Sequence, residues 1–510
     1  MTRPARRSTI SIAIIGTGFG GLAQAVYLKK AGIDSFTIYE KGEGVGGTWR
    51  ENTYPGAACD VPSHLYSYEF EPHYPWAYRY GKQTEILGYL NHVADKYALR
   101  PHIRHGKQLT EAAFDEARGV WTLNFADGST AEANVLVSSV GQLHQPQVPK
   151  IKGAETFAGT AFHSARWRHD LDYAGKRVAV IGTGPSAVQF VPALQPMVGL
   201  LDVYQRSPGW TVPKVDRKFN AFERWLLDTV PALHTLDRKR IFWWFEFLGS
   251  ALQRQSPFNS VATGIFRIAA KLLMKTQVKD PLMQKKLTPD YAIGCKRVLL
   301  SNEWLPALTA SNVDLVVDGI REIVPEGIVA SDGTLRPCDT IIYGTGFEAT
   351  GFLAPMILRG RGGQTLNERW QGGAEAYMGM TVSGFPNLFI LYGPNTNLGA
   401  GSIIYMLEAQ AKYVTRAVQA LQQHGLRWLD VKEGVISAYN LMLRRRSKED
   451  SVYETGCQSW YITADGKNTV SWVGYMHEYA RQVARLKLED FETAPAVAAA
   501  PAVAKVAKAA

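Results

Sequence analysis

Two glycine-rich loops, each set between an apolar strand and a helical segment, limit what this chain of 510 residues can fold into. The first follows residues 9–15 (TISIAII), a β-branched run suited to a strand buried on both faces. It reads Gly16-Thr17-Gly18-Phe19-Gly20-Gly21 and opens a helical segment that stops at Gly32. A second short strand, FTIYE, then ends in Glu40. Glycines at this spacing allow a tight turn and a close backbone approach to a pyrophosphate at the helix N-terminus. An acid at the end of the second strand can accept from ribose hydroxyls. Gly16, Gly18, Phe19, Gly21 and Glu40 therefore make one dinucleotide-binding set.

The second loop follows the strand 177–181 (RVAVI) and reads Gly182-Thr183-Gly184-Pro185-Ser186-Ala187. The strand after it, LLDVYQRS, ends without an acid and carries Gln205, Arg206 and Ser207 instead. A carboxylate there would repel a 2′-phosphate, whereas an arginine can pair with one. Gly182, Thr183, Gly184, Ser186, Arg206 and Ser207 thus read as a site for NADP(H) rather than NAD(H). Two dinucleotide sites imply electron traffic between two cofactors, and FAD on the first loop with NADPH on the second is the natural pair. A third element, Thr340 to Phe347, resembles the strand-and-glycine element of two-dinucleotide flavoproteins, with Tyr343 in place of the usual alanine. The expected fold class is α/β, with two interleaved Rossmann-like dinucleotide-binding domains and a helical insertion. The FAD domain takes residues 1–151 and returns over 357–492. The NADPH domain spans 152–356 with the insertion at 214–289, and 493–510 read as a disordered Ala/Pro/Lys tail.

Between the loops, Gly46-Gly47-Thr48-Trp49 is followed by Tyr54-Pro55-Gly56 and then Asp60. This stretch resembles the long motif of Baeyer–Villiger monooxygenases at every fixed position. Phe157, Gly159, His163 and Trp167 resemble that family's fingerprint, with Arg168 where the family has Pro or Asp. The resemblance runs over roughly residues 8–490. It implies that NADPH reduces FAD, that O2 then gives a C4a-peroxyflavin, and that a ketone becomes an ester or lactone, with sulfoxidation of thioethers as a side activity. Gly294-Cys295-Lys296-Arg297 is similar to a family element in which Arg297 would be catalytic and Asp60 would orient it. An arginine suits an anionic intermediate because it does not deprotonate. The same resemblance places Gly47, Thr48, Trp49, Tyr66 and Asn395 near the flavin, and Lys296 and Trp460 near NADPH. His163 and Trp167 would couple the domains. An N- or S-oxygenating flavin monooxygenase, and a redox sensor holding both cofactors without turnover, are the competing readings.

Lys and Arg number 56 against 46 Asp and Glu, a formal charge of +10 that favours anionic partners. Residues 214–286 carry fourteen basic and six acidic side chains, so 14 − 6 = +8 of that charge lies in the insertion. Helical spacing there suggests two or three helices. They read first as a lid or packing subdomain, and second as a basic amphipathic surface for peripheral membrane contact. No nucleic-acid motif surrounds the basic residues. The four cysteines form no CxxC pair, which argues against a dithiol reductase, a disulfide framework or a metal ribbon. No apolar run approaches the length of a membrane span, so a cytoplasmic enzyme is expected, monomeric or homodimeric, with no metal and with O2 and a small ketone as its partners.

Overall fold

The computed structural model describes residues 10–348, 351–453, 461–463 and 466–496. Its centre is two five-stranded, all-parallel sheets. In the first, Ile12–Ile15 lies between Phe36–Tyr39 and Val135–Ser138, with Ile103–Arg104 at one edge and Leu388–Ile390 at the other. In the second, Arg177–Ile181 lies between Leu200–Tyr204 and Thr340–Tyr343, flanked by Val313–Val316 and Thr160–His163. All strands of the second sheet fall in sequence between strands of the first, so the two units are interleaved. In each sheet the strand preceding a glycine loop has neighbours on both sides. Its carboxyl end is the point where strand order reverses, the place where open α/β sheets bind ligands.

Helix α1, Phe19–Lys30, leaves the first loop and is enclosed on nearly every side. Leu22, Ala23, Ala25, Val26 and Leu28 have no exposed surface. A helix apolar all round belongs in a core. Gln24 sits in that core and donates to the Thr415 hydroxyl at 3.1 Å. Helix α2, Pro185–Leu194, leaves the second loop, with Pro185 in the first turn, where its missing N–H costs nothing.

Four helices fill the insertion rather than two or three: α3 Ala221–Thr229, α4 Pro231–Gly249, α5 Asn259–Gln277 and α6 Pro281–Leu287. Prolines explain the extra count. Pro231 and Pro281 each open a new helix, because proline fits a first turn and cannot continue the helix before it. The inner face of α4 is docked on the first unit. Arg238 donates to the carbonyl oxygens of His64 at 2.7 Å and Ser67 at 3.0 Å, and it approaches Glu408 at 4.0 Å. Arg238 is therefore an internal anchor and not part of a basic outer surface. Glu246 accepts from the Met476 N–H at 2.9 Å and contacts the His477 ring at 2.6 Å.

Helix α7, Ile403–His424, packs along α1 and ends on Gly425 in the left-handed conformation. The chain then forms Leu426–Val431, which pairs antiparallel with Phe491–Pro495. Ordered pairing thus continues through Pro495, past the point where a tail was expected to start; residues 497–510 lie outside the described residues. Cys59 and Cys338 are buried free thiols, whereas Cys295 is disulfide-bonded, a departure from what the cysteine spacing suggested. Among the described residues, no helix is long and apolar enough to cross a membrane.

Gly21, in the first turn of α1, lies over the glycine loop so tightly that an added Cβ would lie 2.0 Å from the Gly16 carbonyl oxygen. Backbone cannot yield as a side chain can. Gly21→Ala is expected to destabilise the protein by about 2 kcal/mol or more. It should also release bound flavin, read as a lower thermal midpoint together with free flavin fluorescence. An unchanged midpoint with full flavin retention would show that α1 can shift freely.

Candidate active site

The carboxyl ends of the two sheets open on one cleft of about 1130 Å³. On the side of the first loop, Gly16 has φ +102, and an added Cβ would meet the Ser139 carbonyl oxygen at 2.8 Å. Gly18 caps α1, and Gly47 faces it so closely that a Cβ on Gly47 would reach the Gly18 Cα at 3.0 Å. The result is a strip of bare backbone at a helix N-terminus, which suits a pyrophosphate. Phe19, Thr48, Trp49 and Tyr66 line the same wall. The Trp49 indole N–H donates to the Tyr66 hydroxyl at 3.1 Å, with their rings edge to face. Two buried polar atoms, Gln142 Oε1 and His144 Nδ1, have no partner among the described residues. Both residues line the cleft, so the wall retains unspent hydrogen-bonding capacity for a polar cofactor.

Glu40 ends the second strand, as its position requires, and is buried. Burial opposes its charge. The Thr17 hydroxyl at 2.6 Å, the Gly42 N–H at 2.8 Å and the Arg50 guanidinium at 2.9 Å overcome that cost and hold its pKa below the usual carboxylate range. Arg50 is a residue that motif reading passes over, because the long motif leaves its position free.

Residues 54–60 run from this wall to the second unit. The Tyr54 hydroxyl donates to Gln189 Oε1 at 3.1 Å, and Gln189 Nε2 donates to the Ala58 carbonyl oxygen at 2.9 Å. An added Cβ on Gly56 would meet the Gln189 carbonyl oxygen at 2.6 Å. The long motif is therefore clamped onto α2, with Gln189 as its unrecognised partner. Next along the chain, the Cys59 thiol is pushed up to about 12 by burial. It is a poor nucleophile in this cleft.

On the second side, Gly182 has φ +108, and an added Cβ would meet the Gly344 carbonyl oxygen at 2.5 Å. The third glycine element thus nests directly against the second loop. Thr183, Gly184, Ser186, Arg206 and Ser207 line the cleft here. Lys296 Nζ donates to the Ser207 hydroxyl at 2.6 Å and lies 4.6 Å from the centre of the Tyr291 ring. Burial and the nearby positive charge of Arg206 depress the Lys296 pKa. Two cations close enough to repel each other make a site suited to an anion.

Arg297 follows Lys296 and points the other way, placing Nη2 3.3 Å from Asp60 Oδ2. Its exposed third faces the cleft it lines. Burial works against the guanidinium charge, but Asp60, Tyr461 and Tyr392 outweigh it, and its pKa lies above the ordinary arginine value. Residues 296–297 thus touch both walls, Ser207 through Lys296 and Asp60 through Arg297.

Other positions fall elsewhere. Asn395 does not line the cleft. It sits at φ +55 and donates its side-chain amide to the Asn468 carbonyl oxygen at 2.8 Å, while Asn397 and Leu398 face the cleft instead. Gly21 serves helix packing below the loop. His163 accepts from the Ala165 N–H at 3.1 Å through Nδ1, which leaves Nε2 to donate to the Gly346 carbonyl oxygen at 2.9 Å. Gln147, on the segment crossing between the units, donates to that same oxygen at 2.9 Å. The histidine thus bonds within its own unit, to the oxygen that also accepts from the Gln147 N–H of the crossover, and it does not line the cleft. Trp167 packs on Phe162 and Phe190 beneath α2, and Arg168 turns outward to pair with Asp170. Trp460 lies outside the described residues.

Known proteins match this chain along almost its whole length. The pyridine nucleotide-disulphide oxidoreductase family matches residues 13–220, a span that includes both glycine loops. A Baeyer–Villiger monooxygenase of Streptomyces coelicolor is 43% identical over 484 residues, covering 95% of this chain and 92% of the relative. Among solved structures, an oxidized steroid monooxygenase bound to NADP superposes with a TM-score of 0.83 at 29% identity, covering 95% of this chain and 99% of that one. The OTEMO complex with FAD and NADP gives 0.84 at 26% identity, covering 96% and 100%. With that identity along almost its whole length, this chain belongs to the Baeyer–Villiger monooxygenase family.

Proposed function

We propose that this enzyme inserts one oxygen atom of O2 beside the carbonyl of an apolar ketone, giving an ester or lactone, with Arg297 as the catalytic cation. The observation that carries this reading is the Arg297–Asp60 pair, a fixed charge set between the two dinucleotide walls. Gly16, Gly18 and Gly47 would hold the FAD pyrophosphate, Glu40 its ribose, and Trp49 and Tyr66 its ring edge. Gly182, Thr183, Gly184 and Ser186 would hold the NADPH pyrophosphate, with Arg206, Ser207 and Lys296 around the 2′-phosphate. The chemistry that bound FAD supplies is O2 activation at the expense of NADPH.

The chain's own contribution is electrostatic and steric. Negative charge develops on oxygen as the carbonyl is attacked, and a fixed, desolvated cation stabilises it without reorganising. Arg297 meets that need because it stays protonated, and so it cannot quench a basic oxygen nucleophile by donating a proton in bulk fashion. Among the described residues Asp60 meets the guanidinium through Nη2, and the other N–H groups would serve the reacting oxygen. Leu398, Ile403 and Met356 add aliphatic lining, which supports an apolar substrate and excludes water from the reacting centre. A disulfide-reductase role is disfavoured by the protonated Cys59 thiol and the absence of a CxxC pair.

Arg297→Ala should keep reduction of the flavin by NADPH and lose ester formation by roughly 10²-fold or more. Stopped-flow reduction and product analysis by mass spectrometry separate the two steps. Loss of both would show a structural residue, and loss of neither would remove Arg297 from the chemistry.

Arg206→Ala should cut the preference for NADPH over NADH by roughly 10–100-fold, the worth of a charge-assisted pair with a phosphate. Because the Lys296 pKa is depressed, its charge is lost as pH rises and is lost before that of an ordinary lysine. Affinity for NADP+ should therefore weaken on going alkaline, and Arg206→Ala should move that transition to higher pH by removing the repulsion. Titration calorimetry from neutral to alkaline pH checks both the direction and the shift.

A further inference from the structure

Helix α5 has two apolar faces. Ala262, Ala270 and Leu273 are buried against the protein. Val261, Ile265, Ile268 and Leu272 recur at helical spacing on the other side, and each is between 37% and 61% exposed. The helix contains no Asp or Glu, and Arg267, Lys271 and Lys275 flank the outward stripe. The stripe does not stand alone. Phe258 precedes it and lies 6.0 Å from Phe247 of α4, which stacks on Trp244 at 5.6 Å. Among the described residues, all five exposed Phe and Trp side chains lie in this insertion: Phe222, Trp225, Trp243, Trp244 and Phe258.

Four of the six acids of the insertion are paired: Glu246 with His477, Asp237 with His64 and Arg240, Glu223 with Arg217 and Asp216 with Lys82. Asp280 caps α6 by accepting from the Leu282 and Met283 N–H groups, and Asp228 is exposed on α3, not on α5. On α5 itself, what faces outward is apolar and basic together, with exposed Phe258 at its start. An ordinary packing subdomain does not expose aromatic side chains in that number, and isolated surface leucines would not form a continuous stripe.

We infer that the outer face of the insertion, centred on α5, docks on an anionic phospholipid bilayer. Aliphatic and aromatic side chains would enter the interfacial region, while Arg267, Lys271 and Lys275 reach lipid phosphates from its rim. Charge complementarity selects this occupant. A second copy of the chain would bring two segments of net charge +8 together, whereas an anionic bilayer neutralises that charge. Arg238 and Glu246, both on α4, anchor the insertion from its inner side. The inference does not rest on the oxygenation reading, because vesicle binding is measured without turnover.

The test is co-sedimentation of the full-length flavoprotein with vesicles of phosphatidylcholine alone or of phosphatidylcholine with phosphatidylglycerol. Binding to the anionic vesicles is expected to be at least about tenfold tighter and to weaken with added salt. Ile268→Glu/Leu272→Glu and, separately, Lys271→Glu/Lys275→Glu should each abolish it, with flavin content and NADPH consumption in solution unchanged. Equal binding to both vesicle types, or none to either, overturns the inference. So does a wild-type dimer in sedimentation velocity that Ile268→Glu/Leu272→Glu converts to a monomer, since the face would then belong to a second copy.

Discussion

The clamp between residues 54–60 and helix α2 is the contact on which the rest of the site depends. Two parallel sheets can each form a dinucleotide loop alone, but electron transfer needs the loops held at one distance. Gln189 provides that hold by bonding the Tyr54 hydroxyl and both polar groups of the Ala58 backbone, and Gly56 lets the two backbones touch. The same short run continues through Cys59 to Asp60, so the segment that sets the interdomain distance also delivers the carboxylate that meets Arg297. A long motif with fixed Tyr, Pro, Gly and Asp is then one mechanical unit with a wall at each end.

Charge is distributed unequally between the two walls, and the inequality suits the two cofactors. On the first wall, Glu40 is held ionised by Thr17, Gly42 and Arg50, and can accept from a neutral sugar. On the second, burial and the charge of Arg206 make the Lys296 ammonium costly, and Asp290 offsets this only in part. That cost is repaid when an anion binds, which is how a site discriminates for a phosphate. Arg297 sits between these regimes, paired with one carboxylate through one nitrogen. Family membership is established by identity along nearly the whole chain, and this placement of charges is compatible with the chemistry of that family.

Much of this architecture is legible in sequence because backbone geometry demands particular residues. A strand, a glycine turn and a helix must follow one another to seat a pyrophosphate, so both loops can be read directly. Contacts between residues far apart in sequence are not legible in the same way. Gln189 meets Ala58 across 131 positions, and nothing in either local stretch announces the other. Arg50 hides in a free position of its motif. Asn395 shows the converse. Its loop does border the cleft, yet a left-handed turn directs that amide to backbone carbonyls and leaves Asn397 to face inward. The insertion's charge was readable, but its division into four helices depended on the two prolines. The direction of Arg238 depended on carbonyls at residues 64 and 67 that no periodicity reveals.

If the cleft directs one atom of molecular oxygen into a ketone, that atom must be found in the product. Single turnover under 18O2, with NADPH and a panel of apolar ketones, tests it most directly through the mass of the product. An ester or lactone heavier by one 18O atom is expected, with one NADPH consumed per product. Hydrogen peroxide as the sole oxygen product across the ketone panel, with no labelled ester or lactone, would contradict it.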